Sequence, residues 1–144
     1  MKNLIQNIFD TNIPAKRLTA ALLFFRVAVS LSLFNTHGLK KALDFAGTAA
    51  NIPDPLGMGG TISAVVAILA NVVATAFIAL GLFTRPAALL ILSVTLTGLF
   101  LVHAADPWTV KDVPLMYSLA FTLIFILGPG ELSLDHVITE KLKA

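Results

Sequence analysis

The chain has 144 residues, 57% of them hydrophobic and only 12% charged, with a net charge of +2 and a mean hydropathy of +0.88. Soluble domains carry about twice that share of charge, so the composition argues against a water-facing globule, and a surplus of two charges is too small for a nucleic-acid-binding surface. With no cysteine, the chain itself offers no disulfide, iron–sulfur cluster, thiolate metal site or CxxC redox step.

The first sixteen residues include Asp10 and Pro14 and lack the early apolar run and small-residue cleavage site of a secretory signal. Ile5, Ile8 and Phe9 share one helical side, a pattern that suits either a helix on the membrane surface or a frayed tail. Four apolar runs follow, at 18–36, 62–83, 86–104 and 113–127, each read as a membrane crossing. They predict a single-domain, all-α membrane protein, an antiparallel bundle of four transmembrane helices within a lipid bilayer. In loop one, Leu39, Leu43 and Ala46 share a face and suggest a short interfacial helix. The second connection is barely more than Thr84-Arg85-Pro86, which makes spans two and three a tight hairpin. Gly128-Pro129-Gly130 ends span four; Ser133 is a candidate cap, with His136 three residues on, for a short amphipathic, interfacial C-terminal helix that carries Asp135 and Glu140.

Lysines and arginines set the expected orientation. Lys2, Lys16, Arg17, Arg85, Lys141 and Lys143 share one side, against Lys40, Lys41 and Lys111 on the other. Six against three places both termini in the cytoplasm.

Arg26 stands apart, eight residues beyond Leu18 and thus roughly 12 Å inside the span. A charge at that depth costs at least about 2.5–3.5 kcal/mol, so the side chain is expected to face the bundle interior or a wet cavity. Ser30 and His37 lie on the same helical face, while Asn71 with Thr75, and Ser118 with Thr122, put further polar groups into spans two and four. Two readings stay open: a cavity that receives an anionic or carbonyl-bearing ligand, or polar groups that glue the helices together. At the outer surface, His37 closes span one and His103 closes span three, followed by Asp106, Trp108, Lys111 and Asp112. This second cluster reads as a proton-exchanging quinol site, as a bis-histidine haem site, or as ordinary interfacial decoration. No nucleotide loop, zinc-protease motif or serine-triad context is present.

Three stretches are more specific than physics alone requires: Phe25-Arg26 followed by His37-Gly38-Leu39-Lys40-Lys41, the hairpin segment Ala79-Leu80-Gly81-Leu82-Phe83-Thr84-Arg85-Pro86-Ala87-Ala88, and Gly128-Pro129-Gly130-Glu131-Leu132-Ser133-Leu134-Asp135. In this order, over most of residues 18–135, they resemble the DoxX family of small four-helix bacterial membrane proteins. The resemblance implies a multi-pass protein of the bacterial inner membrane. It also implies a link to quinone-dependent oxidation of thiosulfate, to oxidative-stress complexes with soluble redox partners, or to quinone-related detoxification. Arg26, Lys40 or Lys41, Arg85, His103 and Asp112 match family positions. Asn71 departs from the pattern, because the family often has a glutamate there, followed by glycines where this chain has Val72-Val73-Ala74.

The leading expectation is therefore a redox-associated inner-membrane protein, at most a subunit of a quinone-linked oxidoreductase. It binds a quinone or another hydrophobic molecule, or anchors soluble redox proteins. It has no built-in cofactor and no metal site, so electrons pass through a bound quinone or a partner's cofactor. Arg26, Ser30, Asn71, Thr75 and His37 are the candidate ligand-binding residues, His103 and Asp112 the candidate proton-exchanging pair. Arg85, Gly128, Pro129, Gly130, Ser133 and Asp135 form the structural motifs. The alternatives are a noncatalytic scaffold or chaperone-like subunit and a small anion or metabolite transporter. Small residues in span two (Ala67, Ala70, Ala74 and Ala76) permit close packing within the monomer or in a homo-oligomer.

Overall fold

The computed structural model describes residues 11–144. Among these, four helices are long and apolar enough to cross a membrane: α1 (Ala15–Leu43), α3 (Gly60–Leu80), α4 (Thr84–Val102) and α5 (Trp108–Leu127). Two shorter helices complete the chain, α2 (Phe45–Asn51) after α1 and α6 (Leu134–Lys143) after α5. The expected surface helix around Ile5, Ile8 and Phe9 lies outside the described residues.

The four crossings stand where hydropathy puts them, but their ends are set by caps and breaks. The first helix passes through His37-Gly38 and Lys40-Lys41 without interruption and stops only at Asp44. Loop one therefore does not hold an interfacial helix starting at Leu39. Its separate helix is α2, capped by the Asp44 carboxylate, which accepts a hydrogen bond from Gly47 N at 2.9 Å. The fourth helix starts five residues earlier than hydropathy suggests, at Trp108, and carries Pro114 inside it.

The α3–α4 hairpin turns on Gly81, which adopts φ +69°. Gly81 N donates to Ile78 O and Leu82 N to Phe77 O, a Schellman closure that needs a left-handed residue at this point. Thr84, Arg85 and Pro86 then open α4; proline is tolerated in a first turn because its missing N–H has no intrahelical partner there.

The core joins Leu33 of α1, Ala70, Ala74 and Ile78 of α3, Ala87, Ala88, Ile91 and Leu92 of α4, and Phe121 and Ile124 of α5. Small side chains dominate α3, where Ala64, Ala67, Ala70 and Ala74 are buried. This fits a membrane bundle, in which close backbone approach and dispersion drive packing. Between α1 and α3, Gly38 packs against the Asn71 carbonyl, where any Cβ on Gly38 would collide with backbone. Both residues lie in π-helical turns, Phe34–Gly38 of α1 and Leu69–Ala74 of α3. The wider turn in α3 frees carbonyl groups from regular pairing, and Thr75 Oγ1 lies 2.9 Å from Asn71 O and 2.8 Å from Val72 O.

Candidate functional site

At the end of the bundle that carries both terminal segments, the two most distinctive sequence stretches interlock. The chain leaves α5 at Gly128-Pro129-Gly130 and folds back over the ends of α1, α3 and α4. Arg26 donates through Nη1 to the Pro129 carbonyl and through Nη2 to the Leu132 carbonyl. Its guanidinium lies against Gly81, where a Cβ would stand 2.8 Å from Nη1 and 2.5 Å from Ser133 Cβ. The partners of Arg26 are thus backbone carbonyls of the returning segment rather than Asn71, and the charge that acts on it is the carboxylate of Asp135.

Asp135 has a second task. Its Oδ1 accepts from Phe83 N at 2.8 Å, and its Oδ2 from Thr84 N at 2.9 Å and Thr84 Oγ1 at 2.8 Å, while its own N–H donates to Gly81 O at 2.8 Å. A carboxylate placed on the first N–H groups of a helix satisfies orphan donors and meets the positive end of the helix dipole. Here the cap for α4 comes from the start of α6. The arrangement also holds Phe83, the one non-glycine residue at positive φ (+46°) among those described. Ser133 caps α6 as expected, accepting from His136 N at 3.1 Å. From the first turn of α4, Arg85 donates to Phe125 O of α5 at 3.2 Å and so ties α5 to the hairpin.

Deeper in the bundle, Ser30, Asn71 and Thr75 are buried, as expected of them. Arg26 Nε and Ser30 Oγ, one turn apart on α1, are buried without a hydrogen-bond partner among the described residues. Ser118 Oγ lies 2.9 Å from Thr95 Oγ1 and links α5 to α4, whereas Thr122 is exposed.

At the opposite end the two histidines go different ways. The His37 ring meets Tyr117 edge-on at 5.7 Å, and the Tyr117 hydroxyl lies 2.8 Å from Ser32 Oγ and 3.3 Å from Thr36 Oγ1. This polar strip joins α1 to α5. His103 instead lines a half-open cavity of about 240 Å³ bounded by loop one, α3, α4 and Lys41 of α1. The carboxylate beside His103 is Asp106, whose Oδ2 lies 2.7 Å from Nδ1; Asp112 is exposed on the first turns of α5. Lys111 donates to Ala104 O at 2.7 Å and lies 5.5 Å from the Trp108 ring centre.

The cavity wall is apolar along Ala67, Val66, Val94 and Val102 and polar at Lys41, Ser63, Ser93, Thr97 and His103. Its rim is held by Asp54, which accepts from Met58 N (3.0 Å), Gly59 N (2.7 Å) and Ser63 Oγ (2.8 Å). These bonds hold its carboxyl below the usual aspartate range, with Ser63 the largest contributor. Lys41 forms no ion pair among the described residues. A space of about 240 Å³ suits a head group or a single ring rather than a whole lipid. Asp54, Ser63, Ser93 and Thr97 were not singled out from the sequence. The one signal there was the four-residue spacing of Ser93 and Thr97 next to Gly98. Among the described residues no cluster of three His, Asp or Glu is present, so the geometry adds no metal candidate.

Comparison with known proteins fits this architecture. The DoxX family model matches residues 21–104, which include Arg26, the α3–α4 hairpin and all of α4. The chain is 36% identical over 127 residues to the protein named inner membrane protein YphA of Escherichia coli (strain K12), covering 80% of this chain and 88% of that relative. No solved structure matches. With the family model over more than half of its length and a full-length relative at this identity, the chain belongs to the DoxX family.

Proposed function

We propose that this protein resides in the bacterial inner membrane with both termini in the cytoplasm. In its outer cavity it binds the head of a small membrane-borne molecule of the quinone type, in association with redox partners. The observation that carries the reading is the cavity of about 240 Å³ between loop one, α3 and α4. It combines apolar walls, three helix hydroxyls, an ammonium with no ion pair among the described residues and a histidine already paired with a carboxylate. Few convergent polar groups on an apolar concavity are the usual make-up of a small-molecule site. Lys41 and Thr97 supply donors for carbonyl oxygens, while the Ser93 hydroxyl already donates to Leu90 O at 2.7 Å. His103, oriented by Asp106, exchanges protons with a hydroxyl, replacing the His103–Asp112 pairing expected from the sequence. The name of the YphA relative supports the location, and the excess of lysine and arginine on the terminal side supports the orientation.

Arg26 has no part in ligand binding in this reading, because both Nη atoms are committed to Pro129 and Leu132 carbonyls. That same commitment favours a second reading, a noncatalytic scaffold whose polar interior serves assembly. Titration of a short-chain quinone into the protein in nanodiscs, followed by quenching of Trp108, the single tryptophan, separates the two. Saturable binding that Thr97→Phe weakens at least tenfold, without loss of the fold, supports the ligand reading. Absence of saturable binding, together with absence of co-purified quinone in lipid extracts, refutes it and leaves the scaffold.

A further inference from the structure

The C-terminal helix α6 is two-faced. At 100° per residue, Leu134, Val137, Ile138, Lys141 and Leu142 fall within an arc of about 140°, while Asp135, His136, Thr139, Glu140 and Lys143 fill the rest. None of the apolar side chains is covered by the bundle. Leu134, Val137 and Ile138 are 43%, 48% and 45% exposed, and Leu142, farthest from the bundle, is 83% exposed.

The start of this helix is not free to wander. Asp135 is bonded through both carboxylate oxygens and its N–H to the turn between α3 and α4, which lies at the edge of the membrane-crossing bundle. The last turn of α5 exposes Ile126 and Leu127, and the connecting turn exposes Leu132. Exposed apolar side chains thus stand at the end of α5, in the connecting turn and along the stripe of α6. We propose that α6 lies in the plane of the bilayer surface on the terminal side, its apolar stripe sunk into the boundary between head groups and acyl chains. Helices with a polar face and a leucine-rich face occupy that depth. Lys141, in the middle of the stripe, extends its ammonium outward to the phosphate layer along its own aliphatic stem. The opposite face keeps Glu140 and Lys143 in water, paired at 3.0 Å.

Because the chain has no cysteine, single spin labels read this directly in the full-length protein in nanodiscs. Ile138→Cys and Leu142→Cys report on the stripe, His136→Cys and Glu140→Cys on the far face. The expected result is collision with molecular oxygen favoured at 138 and 142, and collision with a water-soluble nickel chelate favoured at 136 and 140. With the label at 142, Lys141→Leu keeps the lipid signature and Lys141→Glu shifts it toward water, while thermal stability stays unchanged because the Asp135 bonds remain. A water-like pattern at all four positions overturns the proposal. So does shielding of 138 and 142 from both reagents, which would put protein there instead, either residues 1–10 or a second copy of the chain.

Discussion

Replacing Asp135 tests the closure of the bundle most sharply, because one side chain serves three donors that have no other partner among the described residues. Asp135→Ala removes the acceptors of Phe83 N, Thr84 N and Thr84 Oγ1. Loss of an ordinary N-cap costs about 0.5–2 kcal/mol, and bonds to a charged acceptor are worth about 1.5–3 kcal/mol each. Thr84 is fully buried, so its two donors cannot fall back on water, whereas Phe83 N belongs to an exposed residue and is discounted. The expected loss is about 2–4 kcal/mol, larger than a solvent-exposed cap gives. Asp135→Asn, which keeps one acceptor oxygen, should lose about half as much. The assay is unfolding by SDS titration from mild detergent micelles, with helicity as the readout. Thr84→Val in the Asp135→Ala background should add little, since the one Asp135 bond it removes, from Thr84 Oγ1, is already gone. A stability change below about 0.5 kcal/mol for Asp135→Ala, or full additivity with Thr84→Val, would refute the reasoning.

Other expectations follow from single contacts. Gly81→Ala forces a Cβ into the left-handed region, worth about 1–2 kcal/mol, and drives it against Ser133 and Arg26; folded yield and SDS resistance should fall further than for Gly57→Ala, where the added Cβ meets nothing. Tyr117→Phe cuts the link to Ser32 and Thr36 and should cost about 0.6 kcal/mol, the usual worth of a polar contact between membrane helices, measured by the same titration. The carboxyl of Asp54 is held below the ordinary value of 3.8, so its contribution is complete above that value and is lost as the pH falls through the lower, folded one. A spin label at Leu56 should therefore stay ordered from neutral pH down past 3.8 and loosen only in stronger acid. Ser63→Ala should move that transition up, and loosening of the wild type at or above 3.8 would contradict the assignment.

The membrane crossings were legible because twenty apolar residues in a row have few other fates. Their ends were less so: helical backbone runs on through Lys40 and Lys41 since charged side chains at an interface do not break a helix, and only the cap at Asp44 ends it. The tight hairpin and the Ser133 cap were readable because glycine, proline and serine act locally. What the chain hid was partnership at long range. Arg26 announces an unsatisfied charge, but its acceptors are main-chain carbonyls at Pro129 and Leu132, and carbonyls leave no mark on residue identity. Its expected neighbour Asn71 instead marks the crossing of α1 and α3, where a missing Cβ at Gly38 matters more than a side-chain amide. The outer cavity was hidden for a related reason. Ser63, Ser93 and Thr97 look like tolerated helix hydroxyls until loop one folds over them, and His103 finds Asp106 because the turn after α4 brings residues three apart together.

In the proposed function the two ends of the molecule divide the work, with closure of the bundle at the terminal side and a ligand cavity beneath loop one. The most direct measurement is site mapping with a photoreactive quinone in nanodiscs, followed by peptide mass spectrometry. Competable labelling at Lys41, Thr97 or His103 is the predicted result. Competable labelling concentrated on Arg26, Ser30 or Asn71, with the outer cavity unmarked, would contradict it.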